Sequence, residues 1–336
     1  MRQYFKIFLY IFSALFFTIS AFGMFYFGYK TFYFPKEDEQ FKEYDYHFVL
    51  IGEKEDDPYW QQIKNGAHKV AEEHNIYLEF VAPKNIDNDL TVKLLDQMIS
   101  VQVDGIMVPG IGTEEFIHLV HKGVKRGIPI ITVGSDIKNS ERKAYVGLDN
   151  YHVGQLIGKN FIKNTNGNQQ VGIIISHFKS KGQQERVEGF KDAVQRVNRI
   201  EIVDVLESNL TQTGAARATY TLLKEYPTLN ALIGMSSLDG IGIYEGFQDI
   251  SPHKDMYISA FGLLPETVKL IEHDEIHTTI AEFPYEIGNE AMELLMKLQE
   301  SDVLYNQFFG DTGIITKKDL TDKKWLKRLH YEINSK

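Results

Sequence analysis

From residue 46 onward, short apolar runs alternate with amphipathic stretches of helical period, and this alternation restricts the fold more than any other feature. The apolar runs lack internal polar alternation, as expected for strands that are buried on both faces. Strands that are joined by helices are typical of βαβ units in a parallel sheet. We predict strands at 47–51, 77–82, 105–108, 128–133, 170–175, 201–206, 231–235, 256–260 and 278–281. The clearest helices are predicted at 59–74, 89–100, 114–126 and 152–164.

The number of strands indicates two lobes. A single doubly wound sheet ordinarily has about five or six strands, and this chain has more candidates than that. With 336 residues, 43% of them hydrophobic, the chain can bury the cores of two linked lobes. The sequence therefore predicts an α/β protein with two Rossmann-like lobes, each built on a parallel sheet.

The N-terminal segment is the second strong feature. Residues 7–29 carry no charge, and a helix of that length spans the hydrocarbon core of a bilayer, which is roughly 30 Å thick. Because Arg2 and Lys6 precede the run, the positive-inside rule places the N-terminus in the cytoplasm and the rest of the chain outside. Two interpretations are open, an uncleaved single-pass anchor and a signal peptide that is cleaved near Ala21 and Gly23. We favour the anchor because the apolar run continues beyond Gly23.

The composition argues against several chemistries. The chain has no cysteine, which rules out disulfides, thiolate metal sites and a lipid-modified N-terminal cysteine. A formal net charge of −10 argues against a nucleic-acid partner. The pair His118 and His121 has a spacing that could hold a metal, but a solvated helix face is the simpler interpretation. We predict no catalytic residue, no metal and no cofactor.

Several motifs resemble one known family. Each is weak alone, but all occur in the family's order. They are Asp57-Pro58-Tyr59-Trp60 with Lys64-Asn65-Gly66-Ala67, Val103-Asp104-Gly105-Ile106-Met107-Val108-Pro109, Lys125-Arg126-Gly127-Ile128-Pro129-Ile130, Val146-Gly147-Leu148-Asp149-Asn150, Glu185-Arg186-Val187-Glu188-Gly189-Phe190, and the segment 278–284 with Ile287-Gly288. The chain resembles the type I periplasmic binding proteins of the ribose and galactose type.

The resemblance implies two lobes that are joined by three hinge crossings and close on a small polar ligand. The apolar run gives a transmembrane anchor at 1–30, and a short polar stalk follows at 31–45. The resemblance divides the remainder into an N-terminal lobe at 46–135 with 283–310 and a C-terminal lobe at 136–282 with 311–316. Residues 317–336 form a basic tail with Trp325, Leu326 and Leu329 on its apolar side. That tail is either a surface cap helix or a contact with a membrane or partner.

The resemblance also places the start of the first helix of the body at the ligand cleft. Tyr59 and Trp60 would contact the ligand there, because an aromatic plane packs on the C–H face of a sugar. Asp57 would either cap the helix or accept a hydroxyl from the ligand. At other cleft positions the family's charged groups are mostly replaced. The remaining polar candidates are Asp136, Gln184, Asn209, Ser236 and Glu282.

Two functions agree with these features. The first is an anchored sensor subunit that binds a carbohydrate-like molecule and passes lobe closure to a membrane partner such as a histidine kinase. The second is the solute-binding subunit of an ABC sugar importer, with a permease as its partner. We favour the sensor because a short tether keeps a receptor close to a fixed partner. A transcription regulator of the lactose-repressor type would need a basic DNA-binding domain where residues 7–29 stand, and an enzyme finds no supporting motif.

Overall fold

The computed structural model describes residues 2–32, 43–250, 255–300 and 307–321. The chain divides into two compact units, Met1–Glu43 and Tyr44–Lys336. In chain order the strands are β1 (Tyr46–Ile51), β2 (Ile76–Val81), β3 (Gly105–Val108), β4 (Ile130–Val133), β5 (Ala144–Gly147), β6 (Gln169–Ile175), β7 (Ile200–Glu207), β8 (Ala231–Gly234), β9 (Tyr257–Phe261), β10 (Thr278–Ala281), β11 (Phe308–Phe309) and β12 (Gly313–Ile315). The helices are α1 (Arg2–Phe32), α2 (Pro58–Glu73), α3 (Asn88–Val101), α4 (Glu114–Lys125), α5 (Asn150–Asn164), α6 (Lys181–Val194), α7 (Gln212–Glu225), α8 (Asp239–Ile250), α9 (Pro265–Glu272) and α10 (Pro284–Glu300), with a 3₁₀ turn at Asp319–Thr321.

Apart from Glu43, the described part of the first unit is the helix α1. Its segment Arg2–Lys30 is long and apolar enough to cross a membrane. Large hydrophobic side chains such as Phe8, Phe16 and Phe25 are exposed along it. A signal sequence has the same length and composition, so the helix supports both interpretations of this segment. Most of the predicted stalk, 33–42, and the tail beyond Thr321 lie outside the described residues.

The second unit is built on two six-stranded sheets. One has the order β2-β1-β3-β4-β5-β11, and all its pairs are parallel. The other has the order β7-β6-β8-β9-β10-β12, and only β12 runs antiparallel to its neighbour. The two sheets have the same topology. In each, the chain enters at the strand next to one edge, passes to that edge strand, and then crosses back and adds the other strands one by one toward the opposite edge. The predicted α/β fold with two parallel-sheet lobes is confirmed, and all nine predicted strands are present within two residues of their predicted ends.

Helices cover both faces of each sheet. In the first lobe, α2 and α10 bury one apolar cluster around Phe48, Trp60 and Leu295, and α3 and α4 bury another. In the second lobe, α5 and α6 cover one face, and α7, α8 and α9 cover the other. Most inner strands, including β3, β4, β8 and β10, are buried along their whole length, which explains why the sequence shows unbroken apolar runs.

Glycine pairs let helices approach closely at equivalent places in the two lobes. A Cβ on Gly66 of α2 would lie 2.0 Å from the carbonyl oxygen of Tyr285, and one on Gly288 of α10 would lie 2.0 Å from that of Ile63. Gly154 of α5 and Gly189 of α6 show the same reciprocal contact. Only glycine permits this spacing, so both helix pairs that flank the crossings are held at a fixed distance.

The structure corrects the position of the first crossing. We predicted it after residue 135, but β5 pairs with β4 and belongs to the first sheet. Residues 136–147 are therefore part of the first lobe, and the chain crosses between β5 and α5 instead. The nine predicted strands do not include β5, whose last two residues belong to the motif that begins at Val146. The other crossings lie between β10 and α10 and between β11 and β12.

Candidate functional site

The start of α2 sets the geometry of the first wall of the site. Asp57 occupies the N-cap position, and its Oδ2 accepts the backbone N–H of Trp60 at 3.3 Å. Pro58 follows at the first helical position, where its missing N–H costs nothing. This cap holds Tyr59 and Trp60 edge to face, with ring centroids 5.7 Å apart. Three candidate ligand groups are therefore fixed by purely local interactions.

A cavity between the two lobes faces this helix start. It contains about 490 Å³ of space that protein atoms leave empty, part of which is open to solvent. We refer to it as the binding cavity. Its first-lobe wall consists of Glu53, Asp57, Tyr59, Trp60, Gly134 and Ser135. Its second-lobe wall, with Glu282 at the β10–α10 crossing, consists of Ser176, Ser180, Gly182, Gln183, Arg186, Leu210, Ser236, Ser237 and Phe261.

Arg186 is the central group of the second-lobe wall. Its Nε donates to Asn150 Oδ1 at 2.7 Å, and its Nη1 donates to the carbonyl oxygen of Met235 at 2.7 Å. The guanidinium lies 3.9 Å from the centroid of the Phe261 ring, and Nη2 lies 3.7 Å from Glu282 Oε1. Because Nε and Nη1 are hydrogen-bonded within the protein and the charge lies beside Glu282, Arg186 is a rigid part of the wall rather than a free anion receptor.

Two buried carboxyl groups have strongly shifted pKa values. Burial raises the pKa of Asp57 to about 7, although the bond from the Trp60 N–H opposes this effect. Burial likewise raises the pKa of Glu282 to about 7 against the pull of Arg186. Near neutral pH each group therefore exchanges readily between a hydrogen-bond acceptor and a donor. Such groups suit hydroxyl partners, which can both donate and accept.

Several polar atoms in the cavity wall have no hydrogen-bond partner in the part of the chain that the structure describes. They are Asp57 Oδ1, Trp60 Nε1, Gln183 Oε1 and Ser237 Oγ. A buried polar atom without a partner costs about 1–3 kcal/mol, so native proteins seldom keep several together without a reason. The set includes both donors and acceptors, and it surrounds an aromatic wall. This is the surface that a polyhydroxylated ring requires.

The lobes are closed over the cavity. Lys54 Nζ in the first lobe donates to the Leu210 carbonyl oxygen in the second at 3.4 Å. Asn150 Nδ2 reaches back to the Gly134 carbonyl oxygen at 3.1 Å. Ile111 and Ser180 form an isolated antiparallel bridge across the mouth. These contacts join different lobes, so they must break when the cleft opens.

Comparison with known proteins gives this architecture a family. Residues 48–302 match the Periplasmic binding protein domain family. The chain belongs to the periplasmic binding protein family. The resemblance that the sequence motifs indicated is thereby confirmed.

Individual members of the family resemble this chain over most of its length. The D-allose-binding periplasmic protein of Escherichia coli is 20% identical over 254 residues, which cover 73% of this chain and 81% of that protein. The crystal structure of GanP, a glucose-galactose binding protein from Geobacillus stearothermophilus, is 35% identical, with a TM-score of 0.77, and the match covers 84% of this chain and 100% of GanP. The XylFII–LytSN complex contains a chain that is 30% identical, with a TM-score of 0.78, and the match covers 82% of this chain and 100% of that one.

Among the predicted ligand residues of this periplasmic binding protein, five line the binding cavity and three do not. Those in the wall are Asp57, Tyr59, Trp60, Ser236 and Glu282. Asp136 instead forms a buried ion pair with Arg142, which holds the loop before β5. Gln184 Nε2 donates to the Phe178 carbonyl oxygen on the outer side of α6, and Asn209 is exposed in a left-handed conformation. The structure therefore removes Asp136, Gln184 and Asn209 from the candidate set for this cavity.

The sequence analysis missed the correct face of α6. Gln183 and Arg186 are three residues apart and share a face, whereas Gln184 is rotated by roughly 100° from Gln183. In the sequence, Arg186 stood out only as part of the motif that begins at Glu185. The buried pattern of Gln183 and Arg186, with Phe190 one turn further along, could have identified the inward face.

Proposed function

We propose that this chain is a membrane-anchored extracytoplasmic binding protein for a sugar or sugar-like molecule. In this proposal, ligand-induced lobe closure is the sensory input to a membrane partner such as a histidine kinase. The observation that carries the ligand class is the binding cavity, where aromatic rings adjoin buried polar atoms that lack protein partners. Asp57, Tyr59, Trp60, Ser236 and Glu282 are the proposed ligand contacts, together with Gln183.

The charges of the cavity favour a neutral ligand. Its one arginine is already bonded to Asn150 and Met235 and lies beside Glu282. An anionic ligand would have to compete for that guanidinium and would also face Asp57. A sugar hydroxyl avoids both conflicts, because it can donate to a carboxylate or accept from a carboxylic acid. The names of GanP and of the E. coli relative, which specify glucose, galactose and allose, support the same ligand class.

The likeness to XylFII supports the sensor role. That protein forms a complex with LytSN and is 30% identical to this chain. An anchor formed by α1 would hold the receptor near a fixed membrane partner and raise the effective concentration of the two proteins. The positive-inside rule supports a single-pass arrangement, with the N-terminus in the cytoplasm and the two lobes outside.

The alternative is the solute-binding subunit of an ABC sugar importer. It is supported by the ribose import binding proteins, which are 20–21% identical to this chain over most of their length. If the chain is an importer subunit, deleting it should abolish uptake of a labelled sugar at low concentration. If it is a sensor, deletion should leave uptake by an already expressed importer intact and abolish only the transcriptional response to the sugar.

The binding claim itself is tested by the melting temperature of the full-length chain in detergent, with increasing concentrations of D-glucose, D-galactose, D-ribose and D-allose. A ligand that binds only the folded state raises the melting temperature with concentration. Sugar recovered from the complex should be chemically unchanged. No shift with any neutral sugar, or turnover of the bound sugar, would contradict the proposed function.

A further inference from the structure

A second space adjoins the binding cavity between the starts of α2 and α9. It contains about 1100 Å³ that protein atoms leave empty, part of it open to solvent. We call it the side chamber. Tyr59, Ser237 and Glu282 line both the side chamber and the binding cavity. A ligand held in the binding cavity therefore contacts the same side chains that face the neighbouring space.

The wall of the side chamber is largely apolar. Pro58 and Pro284 come from the first lobe, and Leu263, Leu264 and Pro265 come from the second. Polar groups such as Gln61 and Asn65 complete it. An apolar surface with a few polar groups binds a molecule that has a C–H face and several oxygens.

The start of α9 has no side-chain cap. Leu264 holds its N-cap position and makes no side-chain cap bond, and Ser180 at the start of α6 makes none either, whereas Asp or Thr side chains cap α2, α3, α4, α5 and α7. Leucine cannot accept an N–H, so the first amides of α9 lack the partner that a helix start normally has. Two buried polar atoms that belong to residues lining the side chamber, Ser237 Oγ and Glu282 Oε1, have no hydrogen-bond partner among the described residues.

We propose that the side chamber holds the second unit of a two-unit ligand, so that the preferred ligand is a disaccharide or a sugar glycoside rather than a single sugar ring. This inference rests on the proposed sugar-binding function. The first ring lies in the binding cavity, and the bond between the units passes Tyr59 and Ser237. The second unit packs its C–H face on Leu264 and the prolines, and its oxygens accept hydrogen bonds from the uncapped start of α9. An anionic second unit is disfavoured because Glu266 and Glu282 line the same space.

Calorimetric titration of the full-length chain in detergent tests this inference. The probes are D-glucose, D-galactose and D-allose, with cellobiose and lactose as two-unit sugars. We expect at least one disaccharide to bind about tenfold or more tightly than its component monosaccharides, the gain expected from one additional well-packed contact. Leu264→Trp fills the side chamber and should lower disaccharide affinity about tenfold while leaving monosaccharide affinity within about twofold. Val101→Trp, at an exposed position on α3, is the matched control and should change neither.

The outcomes separate this inference from the proposed function. If monosaccharides bind as tightly as disaccharides, or if Leu264→Trp lowers both affinities equally, the side chamber is not a ligand subsite, although the sugar-binding function stands. If no sugar of either size binds, the proposed function is wrong and this inference falls with it. Glu266→Trp, at the exposed second position of α9, replaces Leu264→Trp if that variant does not fold, and the same affinity pattern is expected from it.

Discussion

The two walls of the binding cavity are built in different ways. In the first lobe, one capped helix start presents Asp57, Tyr59 and Trp60, and each is positioned by neighbours within three residues. In the second lobe, Arg186 is positioned by Asn150 and Met235, which are 36 and 49 residues away in the chain. The residues of the first wall are therefore positioned by contacts that are local in sequence, whereas those of the second wall are positioned only when several distant segments have folded together. Substitutions should affect the two walls differently.

The largest effect is expected from Arg186→Met. Removing the guanidinium leaves Asn150 Oδ1 without its donor, removes the shorter of the two bonds to the Met235 carbonyl oxygen, which also accepts from Gln183 Nε2, and leaves the buried Glu282 without its cation. Removing one partner from a buried charged pair typically lowers the free energy of unfolding by about 3–5 kcal/mol. Urea denaturation of the full-length chain measures this loss. Lys191→Met, on the exposed side of the same helix, is the control and should change stability by less than about 0.5 kcal/mol. A stable Arg186→Met variant would show that the second wall does not depend on this network.

The two aromatic residues of the first wall should separate stability from binding. Trp60 is only 1% exposed and belongs to the first-lobe core, so Trp60→Ala should lower the free energy of unfolding by about 3–5 kcal/mol. Tyr59 is half-buried, and Tyr59→Ala should mainly weaken sugar binding, by about 1–3 kcal/mol. Denaturation and calorimetry on both variants test the contrast. Normal sugar affinity in Tyr59→Ala would remove the aromatic contact from the proposed site.

A smaller effect is expected from pH. The raised pKa of Asp57, about 7 against 3.8, means that the folded chain binds more protons than the unfolded chain between those values. The contribution of this group to stability is therefore largest at low pH and falls as pH rises from about 4 to 7. Asparagine caps a helix as well as aspartate does, so Asp57→Asn removes the titration without removing the cap.

The free energy of unfolding of the sugar-free protein, compared at pH 5 and pH 7, checks this sign. The free energy of unfolding of Asp57→Asn minus that of the parent chain should be larger at pH 7 than at pH 5 by at least about 1 kcal/mol, since one pKa unit corresponds to about 1.4 kcal/mol. Asp56→Asn is the neighbouring control. The hydrogen bond to Lys54 lowers the pKa of Asp56, so this group does not titrate between pH 5 and pH 7. The free energy of unfolding of Asp56→Asn minus that of the parent chain should therefore be the same at both pH values. If the free energies of unfolding of Asp57→Asn and the parent chain differ by the same amount at pH 5 and pH 7, burial does not raise the pKa of this carboxyl.

Most of the fold could be predicted from the sequence because most inner strands are buried along their whole length and therefore appear as unbroken apolar runs. The sequence analysis missed β5, β11 and β12, which are two to four residues long and lie beside the crossings. The residues of the site could likewise be predicted only where the sequence around them carries a local signal. Asp57, Tyr59 and Trp60 could be predicted because they form one contiguous motif that resembles the family's first helix start, whereas the choice between Gln183 and Gln184 depends on how α6 is rotated against the second sheet. The spacing of Gln183, Arg186 and Phe190 indicates the inward face of α6 but does not by itself place that face against the cavity, and a one-residue error turns the side chain away.

The central claim is that a sugar closes the two lobes on each other, and a distance measured across the cleft tests it most directly. The chain has no cysteine, so a Glu114→Cys, Lys179→Cys double variant can carry one spin label on each lobe. Both positions are exposed and line the groove at the closed mouth. Pulsed electron spin resonance on the full-length chain should show a broad distribution of longer label distances without sugar and a single short distance at saturating sugar. An unchanged distance distribution in a sample with proven sugar binding would contradict the account.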